Sequence, residues 1–169
     1  MNLHVTNVVI SANVQCNLNL RNIAHKLGNV IYNPHKYSGL IWQHRKIKSK
    51  CFLFHTGKML CMGNDNLEDS KKDLRTYARI LYKLKYPVCI SNIKLVTQSA
   101  VATLSGRLDI ANAVNYVKGT YDPELFNALM IRSNRIHYTC FSSGKVIITG
   151  VRNLNLLTVV LCSLELFTL

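Results

Sequence analysis

Eight Asp and Glu, six His and six Cys are the side chains of this 169-residue chain that could do acid–base, nucleophilic or metal chemistry. Their spacing assembles none of it. The cysteines stand at 16, 51, 61, 89, 140 and 162 with no C-x-x-C pair. That is the pattern of reduced, mostly buried thiols in an intracellular protein. No His or Cys spacing matches a zinc site, so neither a metal nor a cofactor is expected. The carboxylates fall mainly on predicted helices and turns, and His55 sits on a hairpin turn without an orienting partner. A hydrolase is the weakest reading.

What does recur at fixed spacing is an aromatic ring and a lysine. Leu53–Gly63 reads LFHTGKMLCMG, and Cys140–Gly150 reads CFSSGKVIITG. Each gives Phe, one free position, a hydroxyl residue, Gly-Lys, and a strand-like run before a second Gly. Phe54 and Lys58 flank one turn, and Phe141 and Lys145 flank the other. Such a set serves binding, not turnover. Its partner is indicated by charge: 21 Lys and Arg against 8 Asp and Glu give +13 and a pI near 9.7. A polyanion suits that surface; a generally basic soluble protein is the plain alternative. Residues 1–85 hold 14 basic and 4 acidic side chains (+10), and 86–169 hold 7 and 4 (+3), so the first half exerts the stronger long-range attraction.

The doubled hairpin is one of three collinear matches. YNPHKY (Tyr32–Tyr37) answers YDPELF (Tyr121–Phe126), and LHVTNVVISANV (Leu3–Val14) answers IKLVTQSAVATL (Ile93–Leu104). The shifts of 87 to 90 residues are nearly constant, so the chain reads as two diverged copies of one unit, 1–86 and 87–169, with a boundary near Pro87. Each copy reads strand, helix, several strands, helix. In the first, Asn17 is the expected cap of a helix with Leu20, Ile23, Ala24 and Leu27 inward, ended by Gly28. Strands are expected around Gly39–Gln43, Lys50–Phe54 and Lys58–Met62. Asp65 and Glu68 form the expected capping box of a second helix, with Leu74, Tyr77, Ala78 and Leu81 buried and a basic stripe of Lys72, Arg75, Arg79 and Lys83 opposite. The second copy ends in the almost wholly apolar Asn153–Leu166. The longest apolar stretch, Leu156–Leu169, contains Glu165 and is too short to span a bilayer, and no basic-then-apolar leader opens the chain.

Two helices per copy cover one face of a sheet and leave the other bare. In KMLCM, Met59 and Cys61 face one way and Lys58, Leu60 and Met62 the other. In KVIIT, Val146 and Ile148 face one way and Lys145, Ile147 and Thr149 the other. Both faces carry apolar residues, and an apolar open face rimmed by lysines needs a partner.

NPHKY, YDPELF, F-x-T-G-K-M, F-x-S-G-K-V and DLRTYARILYKLKYP (Asp73–Pro87) together resemble the TATA-binding protein family, over roughly residues 3 to 165. The resemblance implies an α+β fold: a pseudo-twofold saddle of one curved ten-stranded antiparallel sheet with four helices on its convex face. It implies a general transcription initiation factor that binds the minor groove of AT-rich, TATA-like promoter DNA and bends it with aromatic wedges. The minor groove offers mainly acceptors and a width, so it separates A·T from G·C and little more. Flexible TA-type steps lower the cost of kinking.

Carried across by motif, the wedges are Tyr37, Phe54, Phe126 and Phe141, Tyr37 departing from the family's Phe. The groove residues are Asn7, Val9, Leu60 and Met62 in the first copy and Thr97, Ser99, Ile147 and Thr149 in the second. Thr97 stands where the family has Asn and Met62 where it has Thr; a register one residue over would bring Gln98 to the groove instead of Thr97. Lys58, Lys145 and Arg132 match backbone contacts, and Gln43 replaces an arginine. Wedging chemistry survives better than hydrogen-bond readout, which favours minor-groove binding over strict TATA preference. A scaffold acting through protein partners is the alternative, and a DNA glycosylase activity has no residues to carry it.

The resemblance further implies a transcription factor IIB-like partner at Asp122, Glu124 and Leu125 and a factor IIA-like partner near Asn29. The Lys72/Arg75/Arg79/Lys83 stripe is expected to meet an acidic partner, flanking DNA or solvent alone. The RNA polymerase machinery is implied, a membrane is not, and a homodimer without DNA stays open. Localisation follows as the nucleus, or the transcription compartment of a DNA virus, a source with which 17 asparagines and an AT-rich genome agree.

Overall fold

The computed structural model describes every residue, Met1–Leu169. The first half runs β1 (Asn2–Asn13), α1 (Leu20–Lys26), β2 (Val30–Ile31), β3 (Leu40–Trp42), β4 (Lys50–Leu53), β5 (Lys58–Asn64) and α2 (Leu67–Lys83). The second runs β6 (Ser91–Thr103), α3 (Ile110–Tyr116), β7 (Thr120–Asp122), β8 (Phe126–Ser133), β9 (Ile136–Cys140), β10 (Lys145–Val151) and α4 (Leu157–Glu165). All strands join one antiparallel sheet in the order β2-β3-β4-β5-β1-β6-β10-β9-β8-β7. The α+β architecture of ten strands and four helices is as expected. By contact the chain divides into two compact units, Asn7–Val96 and Met1–Thr6 with Thr97–Leu169.

Within Asn7–Val96, strand alternation sends Val8, Ile10, Ala12, Leu40, Trp42, Leu53, Met59 and Cys61 inward, all buried. They meet Leu20 and Ile23 of α1 and Leu74, Tyr77, Ala78 and Leu81 of α2, also buried. The α2 stripe falls at i, i+3, i+4 and i+7, the spacing that keeps one helix face on the sheet. Each buried leucine or isoleucine taken from water stabilises by about 1.5–3 kcal/mol, and Ala78 by less. In the other unit, Ala100, Ala102, Leu129, Ile131, Tyr138, Val146 and Ile148 pack with Ile110, Ala113, Leu157, Leu161 and Leu164.

Three local details differ from the sequence expectation. The cap of α1 is Asn19, whose side chain accepts from the N–H of Asn22; Asn17 lies before the buried Leu18, and the first helical turn begins only at Leu20. The cap of α2 is Asn66, accepting from Asp69 N–H at 2.8 Å while its own amide donates to the Asp69 carboxylate. Asp65 pairs instead with Lys48 at 3.2 Å, and that hydrogen bond holds its carboxyl below the usual range. Three cysteines are buried, Cys51, Cys61 and Cys140, while Cys89 and Cys162 are exposed and Cys16 is intermediate. Cys89 follows Pro87 in a connection, and Cys162 lies on the outer side of α4, where apolar sequence does not bring burial.

Helices α1 and α3 have seven residues each, too few to persist alone in water. Tertiary burial and side-chain caps at Asn19 and Asp109 maintain them.

Candidate nucleic-acid interface

The two Phe-x-x-Gly-Lys turns close in the same way. Phe54 N–H donates to the Lys58 carbonyl and Gly57 N–H to the Phe54 carbonyl, both at 3.0 Å. The Phe141–Lys145 and Gly144–Phe141 bonds are both 2.9 Å. Gly57 and Gly144 have φ of 85° and 84°, in the left-handed region that favours glycine. A Cβ at Gly57 would stand 2.5 Å from the Cys16 carbonyl, and one at Gly144 would meet the Gly106 carbonyl. The motif's glycine is thus demanded twice, and it leaves Lys58 and Lys145 exposed at the start of β5 and β10.

The four rings come together in two pairs. Tyr37 and Phe54 lie 6.0 Å apart at 70°, and Phe126 and Phe141 lie 6.2 Å apart at 75°. Edge-to-face contact of this kind fixes ring orientation. Tyr37 is 40% exposed and Phe126 47%; Phe54 and Phe141 are half-buried. None of the four belongs to the buried core.

In each unit, the sheet face away from the helices is built of cross-strand rows. In the first unit Ser11, Leu60, Phe52, Ile41 and Ile31 lie side by side on successive strands, and Val9, Met62 and Lys50 form the next row. In the second unit the matching rows are Val101, Ile147, Thr139, Met130 and Thr120, then Thr149, His137 and Arg132. Met130 and Ile147 are 45% and 37% exposed. Leu60, Met62 and Val9 are half-buried. Phe52, Ile41, Lys50, Thr139, Met130 and His137 share this face but were not singled out from sequence. The signal was the alternation itself: Phe52 is two residues before Phe54, and His137 lies 87 residues after Lys50.

Asn7 and Thr97 hold equivalent places. Each repeat has a bulge one strand away, at Gly63 (φ 121°) and Gly150 (φ 82°), where the pairings shift between Val8/Val9 and between Ile148/Val151. Val8 pairs with Asn64 and Gln98 with Val151, so Gln98 takes the place of Val8. Ser99 and Thr97 fall on the open face by alternation from the buried Ala100. The Asn7 side-chain oxygen accepts the Gly63 N–H at 2.9 Å, whereas the Thr97 hydroxyl reaches only the Gln98 carbonyl, at 3.5 Å.

Gln43 and Arg132 are less alike than their alignment suggests. The Gln43 amide donates to the Ile47 and Ser49 carbonyls at 3.0 and 3.4 Å, and the side chain is half-buried. Arg132 is exposed. Away from the open face, Asp122, Glu124 and Leu125 form an exposed turn closed by Leu125 N–H to the Asp122 carbonyl at 3.2 Å, with Leu125 85% exposed. Asn29 is exposed with φ of 58°. Lys72, Arg75, Arg79 and Lys83 are all exposed along α2, and α2 also borders a groove floored by Ala78, Val88, Ile90 and Ile93.

Comparison with known proteins gives one consistent picture. The family model described as transcription factor TFIID (or TATA-binding protein, TBP) matches residues 2–84 and 92–160. TATA-box-binding protein 1 of Triticum aestivum is 35% identical over 152 residues, covering 86% of this chain and 64% of that protein. TATA box-binding protein-like 2 of Rattus norvegicus is 33% identical over 150 residues, covering 86% of this chain and 44% of its own length. The chain thus spans between about half and two thirds of those relatives. The Methanococcus jannaschii TBP structure superposes with a TM-score of 0.86 at 24% identity, covering 98% of this chain and 99% of that one: a likeness of fold.

Proposed function

Because the chain belongs to the TATA-binding protein family, we propose that it is a general transcription initiation factor that binds AT-rich promoter DNA in the minor groove through its open sheet face. The observation that carries this reading is the repeated aromatic pair, exposed Tyr37 with half-buried Phe54 and exposed Phe126 with half-buried Phe141, beside a half-apolar sheet face in each copy. The rings enter base steps and unstack them, at about a few kcal/mol per step, and the bent duplex then meets more of the face. Asn7, Val9, Leu60, Met62, Thr97, Ser99, Ile147 and Thr149 contact base edges and sugars, while Lys58, Lys145 and Arg132 meet phosphates. Residues 1–86 and 87–169 act as two copies within one DNA-binding core. No catalytic step is part of this role.

A duplex labelled at both ends reports bending by energy transfer. Wild-type protein brings the ends closer on an AT-rich duplex, and Phe126→Ala with Phe141→Ala abolishes the change while circular dichroism stays native. An unchanged end-to-end distance at saturating wild-type protein refutes the bending.

The engagement of Gln43 with Ile47 and Ser49, and Met62 at a groove position, favour a second reading in which sequence preference is weakened and protein partners dominate. In either case Asp122, Glu124 and Leu125 offer an acidic, apolar-tipped turn to a factor IIB-like partner and Asn29 marks a factor IIA-like site. The α2 stripe faces an acidic partner. RNA polymerase follows through these factors, and the nucleus is the compartment.

A further inference from the structure

One cleft of the second unit belongs to none of the roles above except through Arg132. Lys118, Thr120, Arg132, His137 and Thr139 line a space of about 220 Å³ at the outer end of the open face. Register explains the convergence. Arg132 and His137 are directly opposed on β8 and β9, and Thr120, Met130 and Thr139 form the adjacent row. Lys118 enters from the turn before β7. No carboxylate lines the cleft. The chain's ion pairs, Met1–Glu165, Lys48–Asp65 and Lys71–Glu68, engage none of the three basic side chains.

The backbone at Lys118 adds a second observation. Its φ is 50°, the left-handed conformation found after helix ends, where Gly or Asn is favoured. Gly119 is pressed against β8, where a Cβ would lie 2.5 Å from Leu129 Cδ1. The first copy has Asn29 at the equivalent position, with φ of 58°. It also has Gln43 where the second has Arg132, turned onto backbone carbonyls. A lysine in a place that suits asparagine, and an arginine in a place that holds a self-satisfied glutamine, both leave unpaired donors directed to one space.

We propose that this cleft is a phosphate subsite of the second copy, in which Lys118, Arg132 and His137, with the Thr120 and Thr139 hydroxyls, grip one or two phosphodiesters of duplex DNA. The row Arg132–His137–Thr149 runs straight from the cleft onto the proposed groove surface, so the phosphates are those flanking the contacted bases. The proposal rests on the reading of the open face as a DNA surface. It makes the grip of the two copies unequal: the second anchors the backbone at its outer edge, and the first has only Lys50 there.

The test measures duplex affinity against KCl. Each phosphate neutralised adds about 0.9 to the magnitude of the log K against log salt slope. Lys118→Asn and Arg132→Gln install the first copy's own residues, and Asn suits the backbone at 118, so the double variant retains its fold. Its slope is expected to be shallower by about 2, against about 1 for Arg132→Gln alone, and a double variant no shallower than that single one refutes the part given to Lys118. The control is Arg21→Gln with Lys26→Gln, an equal charge loss on α1, which leaves the slope unchanged. If the wild type binds and bends DNA but the cleft variant keeps the wild-type slope, the subsite is refuted and the open-face reading stands. An equal drop in the control also refutes it, since net charge alone then explains the effect. Failure of the wild type to bind any duplex removes the open-face reading and the subsite together.

Discussion

The side-chain oxygen of Asn7 accepts the backbone N–H of Gly63 at 2.9 Å. A backbone donor requires the oxygen, so the amide nitrogen is turned away and makes no hydrogen bond within the chain. The bulge at Gly63 therefore leaves a free NH₂ on Asn7, the donor that the proposed groove contact requires. Asn7→Asp keeps an acceptor for Gly63 but replaces the donors with a negative charge. Thermal stability is expected to hold. Affinity for an AT-rich duplex is expected to fall by roughly 5- to 150-fold, from a lost contact of about 1–3 kcal/mol. Unchanged affinity by fluorescence anisotropy would remove Asn7 from the interface.

Gly39 sits beneath the first aromatic pair. A Cβ there would lie 2.7 Å from Tyr37 Cε1 and 3.1 Å from Phe54 Cε1. Tyr37 is partly exposed and can swing away, so Gly39→Ala is expected to cost about 1–3 kcal/mol or less while reorienting the ring. The readouts are the Tyr37 ring resonances and the bend angle. Native bending with shifted resonances would show that the orientation of Tyr37 does not matter to DNA.

Tyr77 ties α2 to the loop after β3. Its hydroxyl donates to the Ser49 carbonyl at 2.7 Å and accepts from His44 N–H at 3.2 Å, and its ring meets Trp42 at 4.6 Å. Tyr77→Phe keeps the ring, removes the acceptor of the His44 N–H and leaves the buried Ser49 carbonyl with only the longer Gln43 contact. Destabilisation of about 1–3 kcal/mol is expected in urea unfolding, with DNA affinity intact. An unaltered midpoint would mean that the hydroxyl contributes nothing net.

Burial pushes the Cys140 thiol up to about 12 and raises Cys51 well above its ordinary value, with help from the Cys61 thiol opposite. Burial also raises the Tyr77 phenol. Folded-state values above the unfolded ones mean that the native state holds these protons more tightly. Their stabilisation is complete below the unfolded thiol range, about pH 8.5, and is lost as pH climbs toward the folded values. Unfolding midpoints are expected to fall above about pH 9. At pH 7.5 a maleimide should modify Cys89 and Cys162 quickly and Cys51, Cys61 and Cys140 only after denaturation. Rapid native labelling of Cys140 would contradict its burial.

The sequence alone determined the α+β class through its family motifs, and the buried stripe of α2 and the Gly-Lys turns because both are written in local spacing. Residues two, three or four positions apart must share a face once the element type is known, and a glycine forced to φ near 85° recurs wherever the turn recurs. It did not determine which of several adjacent asparagines and aspartates caps a helix: Asn19 over Asn17 and Asn66 over Asp65 turn on where the first turn begins. Nor did it determine what polar side chains do. Asn7 and Thr97, or Gln43 and Arg132, align by repeat, yet Asn7 and Gln43 are held by backbone groups distant from them in the turn or bulge, while Thr97 makes one long contact to its neighbour and Arg132 none. The convergence of Lys118, Arg132 and His137 depends on cross-strand register between β7, β8 and β9. Register is set by hydrogen bonds between strands distant in sequence, and only the folded sheet brings those strands together.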